Sequence, residues 1–379
     1  MKFSCTQHDL IKALNIVSKA VSSKTTMPIL KGILLDAKPD NTLSLSASDL
    51  DLSIETSIEA TVQEKGALVV QARIFSDIIR KLPAGDVRVE ENESGSVDVS
   101  CQKTEFKIMG VVPPDEFPVI EESEKGERMP LDKNSLKEMI RKTCFAASID
   151  ETRGIITGVL MEVKKESFTM VALDGFRMAV VRENIKNETE KDIVIPARIM
   201  NEVGKILAET DAEKEEKDPP PPFDIVLEEK KAVFRLKNTK IVSRILDGSF
   251  VKYREIIPPQ HNTDALVSKR DLQESIERAS ILIKEGKNNF IKMAVTDGHM
   301  FITSRSEEGS IHEEINIDKT GEDLEIGFNA RFLLDVLKAV PEEEIKLEFN
   351  TPVSPCIIRP LQGESFEYLI LPVRLVSGF

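Results

Sequence analysis

The chain has 379 residues, of which 41% are hydrophobic and 31% are charged, as in a globular protein with two or three cores of ordinary size. It contains no Trp and only 2 Tyr, whereas a protein that binds single-stranded nucleic acid by stacking bases would be expected to carry more such aromatic platforms. The net charge of −14, taken alone, also disfavours nucleic-acid binding.

Three similar units of strands and helices follow one another along the chain. In the first unit a helix begins near Asp9, a strand-turn-strand segment covers Ser46–Ile54, and a second helix follows Ala72-Arg73. The same order recurs in the other two units, with helices near Ser135 and Asp271, strand-turn-strand segments at Val171–Ala179 and Ala294–Ile302, and second helices after Ala197-Arg198 and Ala330-Arg331. The turns are built on Asp49, Asp174 and Asp297, and the two Asp-Gly pairs among them are strong hairpin signals. The nearly constant spacing of these three turn aspartates along the chain indicates an internal repeat.

We therefore predict an α+β fold with three similar domains, each carrying two helices on antiparallel sheets. The predicted domains are 1–122, 128–257 and 259–379, divided at polar, Pro-containing stretches. The acidic, Pro-rich run 211–222 is interpreted as a solvated surface loop inside the second domain.

The N-terminus and the cysteines indicate a cytoplasmic protein. No apolar segment follows the charge at Lys2, and no run approaches the roughly 18 apolar residues of a membrane helix. Four scattered cysteines without a Cys-x-x-Cys pair fit reduced thiols better than disulfides or a zinc site: Cys5, Cys101, Cys144 and Cys356.

Apolar stripes at helical spacing predict the core-facing sides of three helices. They comprise Leu10, Leu14, Val17 and Val21 in the first helix, Phe75, Ile78, Ile79 and Leu82 in the second, and Phe332, Val336 and Val340 in the sixth.

The opposite faces of the helices carry basic residues, mostly seven apart, which is about two helical turns. The pairs are Lys12 and Lys19, Arg73 and Arg80, Arg198 and Lys205, Arg331 and Lys338, with Lys137 and Arg141 four apart on the third helix. Six helical windows hold 18 basic and 10 acidic side chains, a net +8 on an acidic chain. Exposed helix faces often carry Lys and Arg simply for solvation. Recurrence at one spacing favours a shared anionic ligand, although Arg270 and Arg278 on the fifth helix are offset by acidic neighbours.

Helix geometry then predicts an assembly. Six helices side by side at about 10 Å close a circle roughly 19 Å across between axes, which leaves roughly 9 Å free and excludes a DNA duplex. Twelve helices give roughly 38 Å between axes and about 28 Å free, which a duplex can occupy. A closed ring of two three-domain subunits is therefore predicted.

The chain resembles the bacterial DNA polymerase III beta subunits over essentially its whole length. The resemblance lies in five stretches taken in order, which are Thr26–Leu30, Ala172–Val180, Asp247–Arg254, Glu325–Asn329 and Tyr368–Leu375. It implies the DNA-clamp fold, a head-to-tail homodimeric ring around duplex DNA, and a non-enzymatic role in holding polymerases on DNA without a cofactor or metal. DNA polymerase III subunits, the clamp loader, other polymerases and repair proteins would dock through short linear motifs.

Three groups of residues are carried over from this resemblance. The hydrophobic pocket for partner peptides, called here the partner pocket, comprises Ile156, Leu173, Gly175, Phe176, Arg177, Met178, Val251, Ile256, Leu369, Leu371, Pro372, Val373, Arg374 and Leu375. At the ring interface, Phe106 would meet Ile281 and Leu282 of a second subunit, and Lys24 would touch DNA.

Two features depart from the family pattern. Phe176 stands where some relatives carry His, which makes the partner pocket more apolar. The chain continues past Leu375 as Val376-Ser-Gly-Phe379. A frayed terminus is the favoured interpretation of this tail, and the alternative is that it folds into a partner pocket and competes with partners.

Two alternatives are open to the sequence. Ser249-x-x-Lys252 and Lys319-Thr-Gly321 match two motifs of serine acyl-transferases of the penicillin-binding type, but the Ser-x-Asn motif is absent. A protein-binding scaffold without DNA is the second alternative, which the basic helix faces disfavour. His8, His261, His299 and His312 lack metal-ligand spacing and are interpreted as surface residues.

Overall fold

The computed structural model describes residues 1–22, 25–92, 95–109, 114–118, 126–129, 131–188, 190–212, 223–282, 290–307 and 309–375. Within these residues three repeats of helices and antiparallel strands follow one another, as the sequence predicts.

Among the described residues, the first repeat contains two α-helices and nine strands, and each of the other two contains two α-helices and eight strands. Those of the first repeat are β1 Lys2–Thr6, α1 Gln7–Val17, β2 Gly32–Lys38, β3 Thr42–Ser48, β4 Leu52–Glu59, β5 Thr61–Glu64, β6 Gly66–Gln71, α2 Ala72–Lys81, β7 Asp86–Glu91, β8 Val97–Cys101 and β9 Thr104–Ile108.

The second and third repeats keep this order with eight strands and two helices each. The second has β10 Glu127–Met129, α3 Lys133–Thr143, β11 Gly158–Val163, β12 Phe168–Leu173, β13 Arg177–Glu183, β14 Lys191–Pro196, α4 Ala197–Ala212, β15 Phe223–Leu227, β16 Lys231–Leu236 and β17 Thr239–Arg244. The third has β18 Thr263–Ser268, α5 Lys269–Ala279, β19 Phe290–Thr296, β20 His299–Ser306, β21 Gly309–Gly321, β22 Leu324–Asn329, α6 Ala330–Ala339, β23 Glu344–Phe349, β24 Cys356–Arg359 and β25 Phe366–Ile370.

The described chain divides into two compact units that do not follow the repeats. One unit holds Met1–Lys133 and Lys205–Ile245, and the other holds Asn134–Gly204 and Leu246–Phe379. The first contains a five-stranded sheet, β5-β1-β7-β8-β9, and an eight-stranded sheet, β10-β15-β16-β17-β4-β3-β2-β6. The second contains one sheet of twelve strands, β14-β11-β12-β13-β25-β24-β23-β18-β21-β20-β19-β22. The second repeat is shared between the units because its strand β17 pairs with β4 of the first repeat.

The same kind of strand pairing joins successive repeats. Strand β17 lies antiparallel to β4, with Ile241 opposite Ile54. Strand β25 lies antiparallel to β13, with Tyr368 opposite Ala179. Each junction therefore joins the last strand of one repeat to the third large-sheet strand of the preceding repeat.

Capping side chains mark the start of helices α1 and α5. Thr6 accepts a hydrogen bond from the Asp9 amide and Ser268 accepts one from the Asp271 amide, so both helices start about two residues before the positions predicted from sequence. The predicted hairpins also form, because β3–β4, β12–β13 and β19–β20 turn at Asp49, Asp174 and Asp297. Their predicted equivalence is wrong for the third, because the Asp297 turn joins the first and second strands of its large sheet, whereas the Asp49 and Asp174 turns join the second and third. Leu50 occupies the left-handed region at φ 79°, where the other two turns have Gly175 and Gly298.

Most of the predicted core stripes of the first two helices are buried. Leu10, Leu14 and Val17 are buried in α1, but the helix ends at Val17 and Val21 is only half-buried. In α2 the stripe is buried except for Ile78, which is half-buried.

The predicted stripe of α6 contains one error. Val336 and Val340 are buried, as predicted. Phe332 is only half-buried, so its predicted place in the core was wrong. The core side of α6 is formed by Leu333 and Leu337, and Phe332 faces aromatic and charged groups of the second repeat.

Candidate functional site

Three of the predicted basic pairs lie on the exposed faces of their helices. Arg73 and Arg80 in α2 are exposed, because the opposite face of the helix buries Phe75 and Ile79. The same holds for Arg198 and Lys205 in α4, and for Arg331 and Lys338 in α6. Each of these helices therefore presents a basic face to solvent.

Other predicted DNA-binding cations are partly neutralised within the protein. Lys19 lies in a short 3-10 turn after α1, and its Nζ contacts the Glu209 carboxylate at 2.9 and 3.0 Å, with 14% of its side chain exposed. Arg141 donates to Glu138 at 2.8 Å and to the Lys338 carbonyl at 3.1 Å. The hydrogen bond from Arg141 lowers the pKa of Glu138. Lys12 and Lys137 are half-buried on α1 and α3.

Helix α5 differs from the others, as its sequence indicates. Arg270 contacts Glu274 at 2.8 Å, and Arg278 makes two hydrogen bonds to Glu313 at 2.6 and 2.8 Å. The hydrogen bond from Arg278 also lowers the pKa of Glu313. Both arginines of α5 thus form ion pairs with neighbouring carboxylates.

The floor of the partner pocket is apolar and continuous. Ile156, Leu173, Met178 and Leu369 are all buried and belong to one cluster with Tyr253. Strand pairing brings them together, because Met178 lies opposite both Leu173 and Leu369. The second repeat and the last strand of the third repeat both contribute to this floor.

The rim of the partner pocket exposes large apolar side chains. Phe176 is 57% exposed, Ile256 41%, and Val251 and Leu371 37% each. The Leu371 amide donates to the Phe176 carbonyl at 2.8 Å, which ties the two sides of the rim together. Exposed apolar side chains around an apolar floor are typical of peptide-binding grooves.

The end of the described chain leaves the floor and follows another strand. Strand β25 ends at Ile370, and Val373 forms an isolated antiparallel bridge with Gly327 of β22. Of the predicted pocket residues, Pro372 and Val373 are half-buried and Arg374 is exposed.

Arg177 is largely buried beneath the rim, and its contacts with Asp335 and Phe332 were not predicted from the sequence. Its guanidinium contacts Asp335 at 2.6 Å and Asp174 at 3.0 Å, and lies 4.6 Å from the centre of the Phe332 ring. The Phe332 ring in turn stacks on Phe176 at a centroid distance of 6.3 Å. A signal was present, since Phe332 and Asp335 are three residues apart and so share one helix face.

A buried carboxylate fixes the segment that carries Val251 and Ile256. Glu162 accepts hydrogen bonds from Arg254 at 2.5 and 3.0 Å and from the Tyr253 hydroxyl at 3.2 Å. Burial alone would raise the pKa of Glu162, but the hydrogen bond and charge of Arg254 outweigh it and lower the pKa. Burial, followed by the Glu162 charge, raises the pKa of Tyr253. Beside these groups lies an open recess of about 560 Å³ that also contacts Val251.

Two of the three predicted interface residues are exposed within their own units, and the third is half-buried. Phe106 is 39% exposed on β9, the edge strand of the five-stranded sheet. Ile281 is 65% exposed and Leu282 is half-buried, in the 3-10 turn that follows α5.

Some predicted features lie outside the described residues. They are Lys24, the tail 376–379 and residues 213–222 of the acidic run.

One cluster could hold a metal ion by its chemistry. His261, Asp264 and Glu348 offer ligand atoms within 4.8 Å of one another, which the sequence spacing did not indicate. The Lys346 ammonium lies 2.5 Å from Glu348 and 3.8 Å from Asp264. A cation of the protein itself therefore already forms ion pairs with both carboxylates.

The other reactive groups show little sign of activation. Cys5, Cys101, Cys144 and Cys356 are buried free thiols, and burial raises the pKa of Cys5 to about 12. Lys252 contacts Glu255 at 3.4 Å, and Lys319 contacts Asp323 at 2.7 Å. Ser249 lies exposed on a loop segment, four residues before the 3-10 turn Tyr253–Glu255, and not in an α-helix. The geometry therefore does not favour the serine acyl-transferase alternative.

Across the described residues, no helix combines the length and the apolar character needed to cross a membrane.

Comparisons with known proteins agree over the whole chain. Three domain models of the DNA polymerase III beta subunit match, the N-terminal at residues 1–121, the central at 130–252 and the C-terminal at 254–374. The beta sliding clamp of Bacillus subtilis is 35% identical over 387 residues, covering 99% of this chain and 100% of the relative.

Solved structures agree as well. A putative DNA polymerase III beta subunit from Eubacterium rectale is 38% identical with a TM-score of 0.90, covering 98% of this chain and 99% of that one. A Pseudomonas aeruginosa sliding clamp bound to griselimycin is 25% identical with a TM-score of 0.87, covering 99% and 100%. With the three repeats and their strand junctions, these likenesses show that the chain belongs to the family of DNA polymerase III beta subunits, the bacterial sliding clamps.

Proposed function

We propose that two copies of this protein close into a ring that encircles duplex DNA and tethers replicative and repair polymerases for processive synthesis. The three domains are 1–122, 128–257 and 259–379, bounds that the matched ranges of the three family models support. The protein acts in the cytoplasm, needs no cofactor, and contributes topology rather than catalysis. Processivity then follows from a closed ring that can slide along DNA but cannot fall off.

The pattern of strand junctions carries this proposal. Within the chain, β17 joins β4 and β25 joins β13, so the last strand of one repeat continues the large sheet of another. Two strands that correspond to the two sides of such a junction keep an edge without a strand partner in the described residues. They are β9, at the end of its sheet, and the first half of β21, which pairs only with β20. Edges of this kind are templates for pairing with another chain.

The repeats also predict the register of the intermolecular pair. Ile54 lies opposite Ala47 in the β3–β4 hairpin, and Ala179 lies opposite Ala172 in the β12–β13 hairpin. The equivalent pair in the β20–β21 hairpin is Ile311 opposite Ser304. In both internal junctions the third residue of the strand from the following repeat pairs with this position, Ile241 of β17 with Ile54 and Tyr368 of β25 with Ala179. The third residue of β9 is Phe106, so Phe106 of one subunit is expected opposite Ile311 of the other. Ile281, exposed after α5, and the half-buried Leu282 would pack nearby in the same interface.

The basic helix faces supply the contact with DNA. The residues assigned to the hole of the ring are Lys12, Lys19, Lys24, Arg73, Arg80, Lys137, Arg141, Arg198, Lys205, Arg331 and Lys338. Their contacts are with phosphates, which carry no sequence information and permit sliding. The acidic remainder of the chain would repel DNA from the outer surface.

The partner pocket supplies the contact with polymerases and the clamp loader. Its apolar floor and exposed rim suit short linear motifs with apolar anchors. The Pseudomonas aeruginosa relative has been solved bound to griselimycin, and we propose that this compound also binds the present chain, at the partner pocket. Weaker binding of griselimycin to Phe176→Ala would support the assignment, and unchanged binding would contradict it.

A disulfide designed across the proposed interface tests the ring. The native cysteines are buried, so Phe106→Cys combined with Ile311→Cys should give cross-linked dimers on oxidation. The register control is Lys107→Cys with Ile311→Cys, because neighbouring residues of a strand point to opposite faces of the sheet. Oxidation on a circular plasmid should trap the first variant through a high-salt wash, and cutting the plasmid should release it. A scaffold that does not encircle DNA would wash off circular and linear DNA alike.

A further inference from the structure

Arg177 was expected to line the partner pocket, but only 10% of its side chain is exposed. Each of its three nitrogens donates to a protein acceptor. Nε contacts Asp174 at 3.0 Å, Nη1 contacts Asp335 at 2.6 Å, and Nη2 contacts the Phe145 carbonyl at 2.8 Å. A guanidinium held by three acceptors in fixed directions serves as a brace rather than as a contact for a peptide.

The flat face of this brace supports an aromatic wall. The Phe332 ring centre lies 4.6 Å from the Arg177 guanidinium carbon, and Phe332 stacks on Phe176 at an interplanar angle of 28°. Phe332 is half-buried and Phe176 is 57% exposed, so the stack runs from the brace to the open rim. The position of the Phe176 ring thus depends on Phe332, and that of Phe332 on Arg177.

Asp335 connects the brace to helix α6. It lies three residues after Phe332, on the same helix face, and 27% of its side chain is exposed. Its ion pair with Arg177 joins α6 of the third repeat to the first residue of β13 in the second repeat. Without this carboxylate, α6 would keep its core contacts through Leu333 and Leu337 but would lose the ion pair that holds Phe332 in register with the guanidinium.

We propose that Asp335 is a positioning residue of the partner pocket, which acts through Arg177 to hold Phe332 and Phe176 as a preformed wall. This inference rests on the proposed function, because it assumes that partners use this pocket. A preformed wall binds a peptide without first ordering its own side chains, so loosening it lowers affinity even though Asp335 touches no ligand.

The chain has no Trp, so Phe332→Trp gives a single indole that reports on the wall. In this background Asp335→Ala should shift the indole emission to longer wavelength and increase its quenching by acrylamide. Griselimycin binding should weaken about fivefold, because the loosened wall must then lose side-chain freedom when the ligand binds. Arg177→Lys should behave in the same way, because an ammonium cannot make three directed contacts and stack on a ring.

Asp318→Asn is the matched control, since it removes an exposed carboxylate of the same repeat. Indole emission of Asp335→Ala that matches this control would overturn the proposal. Amide hydrogen exchange over residues 174–178 and 330–340 in Asp335→Asn, with Phe332 retained, gives a second measurement should Phe332→Trp disturb the fold. Faster exchange there than in Asp318→Asn supports the proposal, and equal exchange overturns it. Failure of griselimycin to bind the unsubstituted protein would count against the pocket assignment instead, because the emission and exchange measurements need no ligand.

Discussion

Val373 donates its amide hydrogen to the Gly327 carbonyl at 2.9 Å, and the two residues form an isolated antiparallel bridge at the edge of β22. A Cβ atom on Gly327 would lie 3.0 Å from the Val373 carbonyl oxygen and 2.7 Å from Leu375 Cδ2. The Leu375 side chain can rotate away, but the backbone oxygen can move only with its segment. Gly327 is therefore what lets the segment after β25 lie close to β22.

Gly327→Ala should move this segment and weaken griselimycin binding. The expected weakening is about 1 kcal/mol, or roughly fivefold in affinity, as for modest overpacking. Gly298→Ala is the control, because a Cβ there meets nothing within 4 Å but carries the strain of φ 77°. It should lower the melting temperature and leave affinity unchanged. Equal affinities of the two variants in a titration would show that the bridge does not shape the pocket.

Charge reversal on the basic helix faces should shorten the lifetime of the protein on circular DNA. Arg73→Glu, Arg80→Glu and Lys205→Glu together abolish phosphate neutralisation at three positions, and the salt dependence of binding should become shallower by about 0.9 for each phosphate that is no longer neutralised. Lys165→Glu, Lys186→Glu and Lys230→Glu change the net charge equally at exposed positions elsewhere. Retention measured over a salt series distinguishes the two sets. If both sets reduce retention to the same degree, net charge rather than the helix faces governs binding.

Replacing Ile281 and Leu282 by Ala should dissociate the dimer. Side chains of this size contribute about 2 kcal/mol or more each when buried in a well-packed interface, and the ring contains that interface twice. Light scattering should show mainly monomer for the double variant. Ile149→Ala with Val353→Ala is the matched control, because these apolar side chains are 100% and 70% exposed. A double variant that stays dimeric with a normal melting temperature would place the interface elsewhere.

Glu162→Gln should destabilise the protein at neutral pH but not in acid. The folded protein lowers the pKa of Glu162, so this carboxylate contributes stability above its ordinary pKa of 4.5 and that contribution disappears as pH falls through the lowered value. Glutamine resembles the protonated acid. The difference in melting temperature between the native protein and Glu162→Gln should therefore shrink as the pH drops below 4.5. A difference that stays constant from pH 7 to pH 3.5 would mean that the Arg254 ion pair adds nothing to stability.

Local patterns in the sequence were enough to predict the repeat, the hairpins and the helices. Hydrogen bonding within helices and hairpins depends on residues near one another in the chain, so Asp-Gly turns and apolar stripes indicate them directly. The basic helix faces follow from the same periodicity, since a side chain opposite a buried stripe must face solvent. The family resemblance added the pocket and interface residues, which no local pattern would have selected.

Only the tertiary structure decided how those side chains are used. Lys19 could be recognised as a basic residue near a helix, but its neutralisation by Glu209 joins positions 190 residues apart. Phe332 matched the spacing of a core residue, yet the aromatic ring and guanidinium that receive it come from the second repeat. The edges of β9 and β21 that have no strand partner among the described residues are likewise visible only after the other strands have paired. Periodicity determines which side of an element is apolar, whereas the partner of that side depends on which distant segments pack together.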